Sequence, residues 1–281
     1  MNSLRKPSRW LGLGLVIAAL TLATFAAWSQ RDWHRGERDK RGGVENWGRD
    51  EELPNDTFTF ARIQYDSWGG RWRGRGKWSI DYPESDLNMS FRLQQLTALK
   101  VDPEGTVLNL TEDKLFQYPF IYIIEPGELT FSNDEVKALR KYLLTGGFLM
   151  VDDFWGEEEW QNFEREFRRV FPTREIVELP LEHEVFQCVF PLKEKPQVPN
   201  PGTAMQGAPY GITWERHDAE TPHYRGVYDD DGRLMTIICH NTDLGDGWEE
   251  ESRAGEWYFK EFSEPKAYPM GINIIFYSMT H

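Results

Sequence analysis

Strand-like and helix-like segments alternate along residues 57–281, and this alternation restricts the fold more than any other feature. Short apolar runs rich in β-branched and aromatic residues are typical of strands, and longer runs with apolar residues three or four positions apart are typical of helices. These patterns predict strands at 58–65, 106–110, 120–125, 148–153 and 233–241, a hairpin pairing 223–229 with 233–241 across 230–232, and helices at 86–100, 132–147, 157–172 and 268–281. Such alternation predicts an α/β domain with a mostly parallel sheet and helices on both faces.

Local signals mark the ends of several predicted helices. Ser132 is followed three residues later by Glu135, the spacing of a capping box at a helix N-terminus. Ser85 or Asp86 is expected to cap the helix that starts nearby. Pro269 is expected near the start of the closing helix, because proline is favoured in a first helical turn.

Two carboxylates stand where an apolar run ends, in the stretch GGFLMVDDFWG at 146–156. In open α/β sheets, ligands bind beyond the carboxyl ends of the strands, so Asp152 and Asp153 are predicted to lie at the ligand-binding edge. We expect one of them to cap the following helix and the other, Asp153, to face a solvent-accessible cleft. The pair also has a purely structural interpretation, in which both carboxylates bind loop amides.

Further candidate residues follow other predicted strands at the same edge. The candidate ligand-binding residues are Glu125, Trp155, Trp68, Arg71, Trp72, Arg73, His240, Asn241 and Asp243. The tryptophans and arginines of the loop at 66–78 could stack on a sugar or bind an anion, or the loop could be a solvated glycine-rich turn. Asp243 and Asp246 resemble part of a calcium loop, but a plain turn is the alternative, because the twelve-residue pattern is incomplete. His183, His217, His223 and His240 lack metal-ligand spacing.

Three stretches carry a resemblance to a known family. YPESDLNMSFRLQQLTALKVDPE, FIYIIEPGELTFSNDEVKALRKYLLTGGFLMVDDFWGEEEW and CHNTDLGDGW with AYPMGINIIFYSMTH resemble the bacterial family DUF4159, from about Phe58 to His281. The resemblance implies a flavodoxin-like three-layer sandwich similar to class I glutamine amidotransferases. It also implies membrane association and an assembly with MoxR-type ATPases and von Willebrand A-domain proteins. The family has no established activity.

The chain departs from the amidotransferase pattern at the nucleophile. Asp152 and Asp153 stand where those enzymes carry a cysteine, and a carboxylate cannot form the glutaminase thioester. Glutaminase activity is therefore not expected. Cys239 and His240 are adjacent on a predicted strand, so they should point to opposite faces and not act as a pair. A disulfide between Cys188 and Cys239 is left open by the sequence.

The N-terminal part predicts a membrane segment and a linker. Residues 1–9 are basic, residues 10–28 are apolar without a charge, and residues 29–56 are dense in charge. About 19 apolar residues nearly span a bilayer, and the preceding basic residues favour a cytoplasmic N-terminus. We predict a single-pass anchor with the domain at 57–281 outside the cytoplasm. The alternative is a signal segment cleaved near Ser29, which would leave a secreted or periplasmic protein.

Charge excludes one class of partner and leaves three functions open. The formal net charge is −14, which argues against nucleic acid binding. The sequence indicates a membrane-tethered domain that binds a ligand or partner without catalysis. The alternatives are a metal- or carboxylate-dependent hydrolase acting on a cell-envelope substrate, and a structural subunit of an envelope complex. No cofactor is required by the sequence, although the carboxylates leave a divalent metal open.

Overall fold

The computed structural model describes residues 41, 44–48, 56–68, 76–251 and 253–281. Residues from Val44 to His281 form one compact unit. The membrane or signal segment predicted at 10–28 lies outside the described residues and stays a prediction. Within the described residues, no helix has both the length and the apolar character needed to cross a bilayer.

The domain alternates strands and helices, as the sequence predicts. The strands are β1 (Ala61–Gln64), β2 (Asp66–Ser67), β3 (Thr106–Asn109), β4 (Phe120–Ile124), β5 (Leu129–Thr130), β6 (Phe148–Asp152), β7 (Val177–Glu178), β8 (His223–Tyr228) and β9 (Leu234–His240). The helices are α1 (Glu84–Leu96), α2 (Asn133–Leu144), α3 (Gly156–Val170), α4 (Pro201–Gly207), α5 (Leu244–Glu249), α6 (Gly255–Tyr258) and α7 (Tyr268–Thr280). A π-helical segment, Phe259–Ala267, connects α6 to α7.

Seven strands form the central sheet in the order β3-β1-β4-β6-β9-β8-β7, and β2 pairs with β5 separately. The first five strands of that order are parallel, and β8 is antiparallel to both of its neighbours. Numbered along the chain, the five parallel strands follow the order 2-1-3-4-5, in which the direction of the crossovers reverses between β1 and β4. The predicted α/β class and mostly parallel sheet are confirmed.

Alternate residues of each central strand enter two different cores. On β4, Phe120 and Tyr122 face the helices α1, α5 and α7, whereas Ile121 and Ile123 face α2 and α3. Successive side chains of a strand point to opposite faces of the sheet. Each face is therefore apolar and is covered by its own set of helices. Asp152 shares the parity of Phe148 and Met150 on β6, so its side chain points to the α5 face.

Several helix ends agree with the sequence and others do not. Ser132 accepts a hydrogen bond from the backbone N–H of Glu135 at 3.2 Å, which confirms the capping box of α2. The expected cap of α1 is wrong, because α1 begins at Glu84 and both Ser85 and Asp86 lie inside it. The closing helix α7 begins at Tyr268 with Pro269 in its first turn, as predicted, and the π-helical segment that runs directly into it was not predicted.

Trp47, which the sequence places in the charged linker, packs against the domain. Its indole N–H donates to the carbonyl of Val101 at 2.7 Å, and its ring centroid lies 5.8 Å from that of Phe91. This contact attaches part of the segment before β1 to α1 and to the chain that follows it.

A fully buried ion pair connects β1 to α1. The guanidinium of Arg62 donates to both carboxylate oxygens of Asp86, at 2.5 to 3.1 Å. It also donates to the carbonyls of Trp78 and Ile80, each at 3.0 Å, and to the hydroxyl of Ser85 at 2.8 Å. The N–H groups of Arg62 thus donate both to α1 and to the loop that precedes it. These hydrogen bonds offset the cost of burying the guanidinium charge.

Removing one partner of this pair is expected to destabilise the domain strongly. Asp86→Ala leaves the buried Arg62 charge without its carboxylate, which should cost about 3–5 kcal/mol of unfolding free energy. The matched control is Glu164→Ala, which removes the half-exposed partner of the exposed Arg168 on α3 and should cost under about 1 kcal/mol. Urea unfolding measures both values, and equal losses for the two variants would contradict the assignment.

Candidate acidic cation site

Acidic side chains from separate parts of the chain converge at the carboxyl edge of the sheet. One carboxylate oxygen each from Asp81, Asp153 and Asp243 lies within 4.8 Å of the others. Two further triads have the same spacing, and they overlap the first. The six residues of the three triads, here called the acidic cluster, are Asp81, Asp153, Glu215, Asp243, Asp246 and Glu249.

The backbone at this edge adopts an unusual conformation at four positions. Among the described non-glycine residues, the positive φ angles belong to Asp81 (61°), Glu125 (51°), Asp153 (58°) and Asn241 (61°). Three of these residues directly follow β4, β6 or β9, and Asp81 precedes α1. Left-handed conformations of such residues cost about 1–3 kcal/mol and cluster at functional sites. The coincidence of four at one edge makes this edge a candidate functional site.

Asp153 occupies a sharp turn between β6 and α3 and points into the acidic cluster. Its side chain is 6% exposed, so it is buried, contrary to the prediction that it faces an open cleft. Among the described residues, none donates a hydrogen bond or forms an ion pair with its carboxylate. A buried carboxylate without a partner is costly, so the contacts of Asp153 with the described residues do not explain its position.

Asp152 lies beneath the acidic cluster and is fully buried. Its Oδ2 accepts hydrogen bonds from the hydroxyl of Tyr122 and the backbone N–H of Gly245, both at 3.1 Å. Its Oδ1 is buried without a hydrogen-bond partner among the described residues. Burial raises the pKa of Asp152 to about 7. The contact with Gly245 connects the end of β6 to the first turn of α5.

The first amides of α3 are bound by side chains other than Asp152 and Asp153. The N–H of Trp155 donates to Glu159 at 2.7 Å, that of Gly156 to Asn241 at 2.9 Å, and that of Glu157 to Asp218 at 3.0 Å. The expectation that one of the paired aspartates caps this helix is therefore wrong. Neither Asp152 nor Asp153 therefore binds these amides at the start of α3.

The acidic cluster concentrates negative charge in a poorly solvated region. Burial, followed by the charges of neighbouring carboxylates, raises the pKa values of Asp81, Asp153 and Asp243 well above their usual range. Burial is also the largest cause that raises the pKa of Asp246 to about 7. Within the described residues, no basic side chain forms an ion pair with these four aspartates. A cation is the chemical group that would relieve their repulsion.

Glu125 borders the acidic cluster and is paired with a lysine. Its Oε2 lies 3.2 Å from Nζ of Lys77, and Tyr65 donates its hydroxyl to the backbone carbonyl of Glu125 at 2.6 Å. Burial raises the pKa of Glu125 to about 7, even though Lys77 acts in the opposite direction. Glu125 can therefore gain or lose a proton near neutral pH.

The other candidate residues take different positions. His240 points to the α3 face of the sheet, away from the acidic cluster. Its Nδ1 accepts a hydrogen bond from Arg225 at 3.1 Å, and its Nε2 donates to the carbonyl of Gly156 at 3.0 Å. Burial lowers the pKa of His240 to about 3. Trp155 is buried at the start of α3, and Trp68 is 65% exposed. Arg71, Trp72 and Arg73 lie outside the described residues.

Both described cysteines are free thiols. Cys188 and Cys239 form no disulfide. Cys239 packs in the core on the α5 face, opposite to His240, which confirms that the two neighbours do not form a pair. Burial raises the pKa of Cys239 well above its usual value, so the thiol is not activated as a nucleophile.

Sequence reasoning missed three members of the acidic cluster. Asp81 precedes α1 at some distance from any strand end, Glu215 lies in a loop, and Glu249 ends α5. The only local signal was the run of acids in NTDLGDGWEE, which places Asp243, Asp246 and Glu249 at intervals of three residues. That spacing puts the three carboxylates on one side of α5 and its cap.

The fold and the site define an α/β domain with a carboxylate-lined site at the carboxyl edge of its parallel sheet. The chain belongs to the family described as Domain of unknown function (DUF4159), whose sequence profile matches residues 59–279. A search of curated proteins found no match.

The raised pKa values predict an unusual pH dependence of stability. Asp152, Asp246 and Glu125 have pKa values of about 7 in the folded chain and about 4 when unfolded. The folded state binds more protons between these values, so its stability should fall as the pH rises from about 4 to about 7. Chelator-treated protein should have a higher Tm at pH ~5.5 than at pH ~7.5. Asp246→Asn should reduce the difference, and a Tm that rises with pH would contradict the prediction.

Proposed function

We propose that this domain works by binding a hard divalent cation through Asp81, Asp153 and Asp243. The observation that carries the proposal is the carboxylate of Asp153, which is buried, points into the triad, and has no hydrogen-bond partner among the described residues. Oxygen ligands lie about 2.3–2.6 Å from Ca²⁺, so two ligands of one ion lie within roughly 5 Å of each other. The 4.8 Å limit within the triad fits this requirement.

Mg²⁺, Mn²⁺ and Ca²⁺ are the cations that such a ligand set favours. Carboxylates are hard oxygen ligands, and within the described residues no cysteine or histidine belongs to the three triads. Bound cations would hold the carboxylates in their ionised form and replace the repulsion among them with attraction. The site would thereby gain the counter-charge that no side chain of the described residues supplies.

The cation should bind to the parent protein and fail to bind when Asp153 is neutralised. Asp153→Asn keeps the size of the side chain and a residue type that tolerates a positive φ. The parent should gain about 2.7 kcal/mol of unfolding free energy at a cation concentration of 100 Kd. Asp153→Asn should lose most of that gain, yet be at least as stable as the parent without cation, because it lacks the buried charge.

Calorimetry and thermal unfolding with each of the three cations measure these effects. Asp134→Asn is the matched control, because it removes one carboxylate from the exposed surface of α2 and should leave cation binding unchanged. Absence of cation binding to the parent would overturn the proposal. So would a several-kcal/mol loss of cation-free stability in Asp153→Asn, because the side chain would then be structural.

The finer fold assignment is part of this proposal. We place the domain among flavodoxin-like proteins similar to class I glutamine amidotransferases. Two features support the placement: the order of the parallel strands, and Asp153 with its positive φ in the tight turn from β6 to α3. The aspartate in that turn supports a change of chemistry from a thiolate nucleophile to cation binding.

Cation-dependent hydrolysis is the second candidate function. Glu125 favours it, because a general base works best with a pKa near the operating pH, and Glu125 lies beside the acidic cluster with a pKa of about 7. A bound cation would supply an activated water molecule to such a reaction. The acidic cluster would hold the cation, and Glu125 would accept a proton from the activated water molecule.

Hydrolysis should depend on Glu125 separately from cation binding. With chromogenic esters, phosphoesters and glycosides, the cation-loaded protein should turn over one class, and Glu125→Gln should lower kcat by about 10²-fold or more. Cation affinity of Glu125→Gln should stay within about threefold of the parent. Absence of turnover in every class, with the cation bound, would exclude this candidate and leave the binding function in place.

A further inference from the structure

The three carboxylate triads form a closed ring. Asp81 belongs to the first and second triads, Asp243 to the first and third, and Asp246 to the second and third. One cation bound by Asp81, Asp153 and Asp243 therefore leaves Asp246 without a cation, although Asp246 is a member of both remaining triads.

We propose that the acidic cluster holds a second divalent cation, bound by Asp246 and Glu249 and joined to the first through a bridging Asp81 carboxylate. The inference rests on the proposed function, because it adds a second ion to the site of the first. Its ligand class is the same: a hard cation such as Mg²⁺, Mn²⁺ or Ca²⁺ with oxygen ligands.

Asp81 has the free oxygen that a bridging ligand needs. Its Oδ2 is buried and has no hydrogen-bond partner among the described residues. Gly245 on α5 packs closely against this oxygen, since a Cβ at that position would lie 2.7 Å from it and 3.1 Å from the hydroxyl of Tyr122. A side chain at position 245 would displace the Asp81 carboxylate from the acidic cluster.

The charge of the acidic cluster exceeds what one divalent cation neutralises. The cluster contains six carboxylates, and Asp153, which is more than nine-tenths buried, points into it without a partner. Within the described residues, Glu249 is the cluster member with an ion pair, to Arg253 at 2.8 Å. Two divalent cations offset four negative charges, and of the other two carboxylates Glu249 is paired with Arg253 and Glu215 is exposed to solvent.

The free oxygen of Asp81 favours the second triad over the third. In the third triad, Oε1 of Glu215 already accepts from the backbone N–H of Asn200 at 2.6 Å, and Oδ1 of Asp243 accepts from that of Asp246 at 2.7 Å. In the second triad, Oε1 of Glu249 accepts from Arg253 at 2.8 Å, but Oδ2 of the bridging Asp81 has no hydrogen-bond partner among the described residues, and the third triad offers no such free oxygen. The second cation is therefore assigned to Asp246 and Glu249.

The stoichiometry of Mn²⁺ binding tests the inference on the full-length chain. Calorimetry and native mass spectrometry should show two Mn²⁺ per chain, with spin coupling in the electron paramagnetic resonance spectrum. Glu249→Gln should weaken the second ion by more than about tenfold and change the affinity of the first by less than about threefold. Glu215→Gln, the matched substitution in the third triad, should still bind two ions.

Each result separates this inference from the proposed function. One Mn²⁺ per parent chain would overturn the second site and leave the first in place, whereas no Mn²⁺ at all would overturn both. Loss of the second ion in Glu215→Gln but not in Glu249→Gln would overturn the assignment to Glu249. Two ions without spin coupling would overturn the bridging role of Asp81.

Discussion

The buried ion pair of Arg62 and Asp86 is the interaction on which the geometry of the acidic cluster depends. Arg62 binds the carbonyls of Trp78 and Ile80, and the next residue along the chain is Asp81, with its positive φ. The guanidinium also lies 5.0 Å from the ring centroid of Tyr122, whose hydroxyl donates to Asp152. Arg62 on β1 thus positions Asp81, a member of the acidic cluster. It also contacts Tyr122, which holds Asp152 beneath the cluster.

The acidic cluster opposes the stability of the fold that carries it. Its carboxylates lie close to one another, Asp153 and Asp243 are buried, and Asp81 and Asp153 have left-handed conformations that a side chain adopts at a cost. The sheet tolerates this arrangement because its two cores are otherwise apolar and continuous, from Phe60 and Tyr122 on one face to Ile63 and Val151 on the other. Bound cations would convert the same carboxylates from a destabilising group into a stabilising one.

Much of the fold could be predicted from sequence because it depends on local periodicity. The strands ending at Ile124 and Asp152, the capping box at Ser132 and the hairpin before β9 are all encoded within a few residues. The site could be predicted only in part. Asp153 and Asp243 follow strands, so the edge rule finds them, whereas Asp81 is brought there by Arg62, a contact between distant residues that no local pattern reveals.

The burial of Asp153 and the capping of α3 could not be predicted for a similar reason. Asp218 and Asn241, which bind the amides of Gly156 and Glu157, come from loops far along the chain. Without them, the aspartates next to the helix are the natural candidates for its cap. The π-helical stretch before α7 was missed because Pro265 within it reads as a helix breaker.

The occupied N-terminus of α3 reverses the usual electrostatic polarity of this kind of sheet edge. In doubly wound folds, the free amides and positive dipole end of such a helix attract anions, phosphate groups above all. Here Glu159, Asn241 and Asp218 already occupy those amides; two of the three are carboxylates, and Glu159 is also paired with Arg216. A phosphate or carboxylate group would meet repulsion at this edge unless a metal ion preceded it. The proposed cation would therefore bind first, and any anionic ligand would bind to the cation.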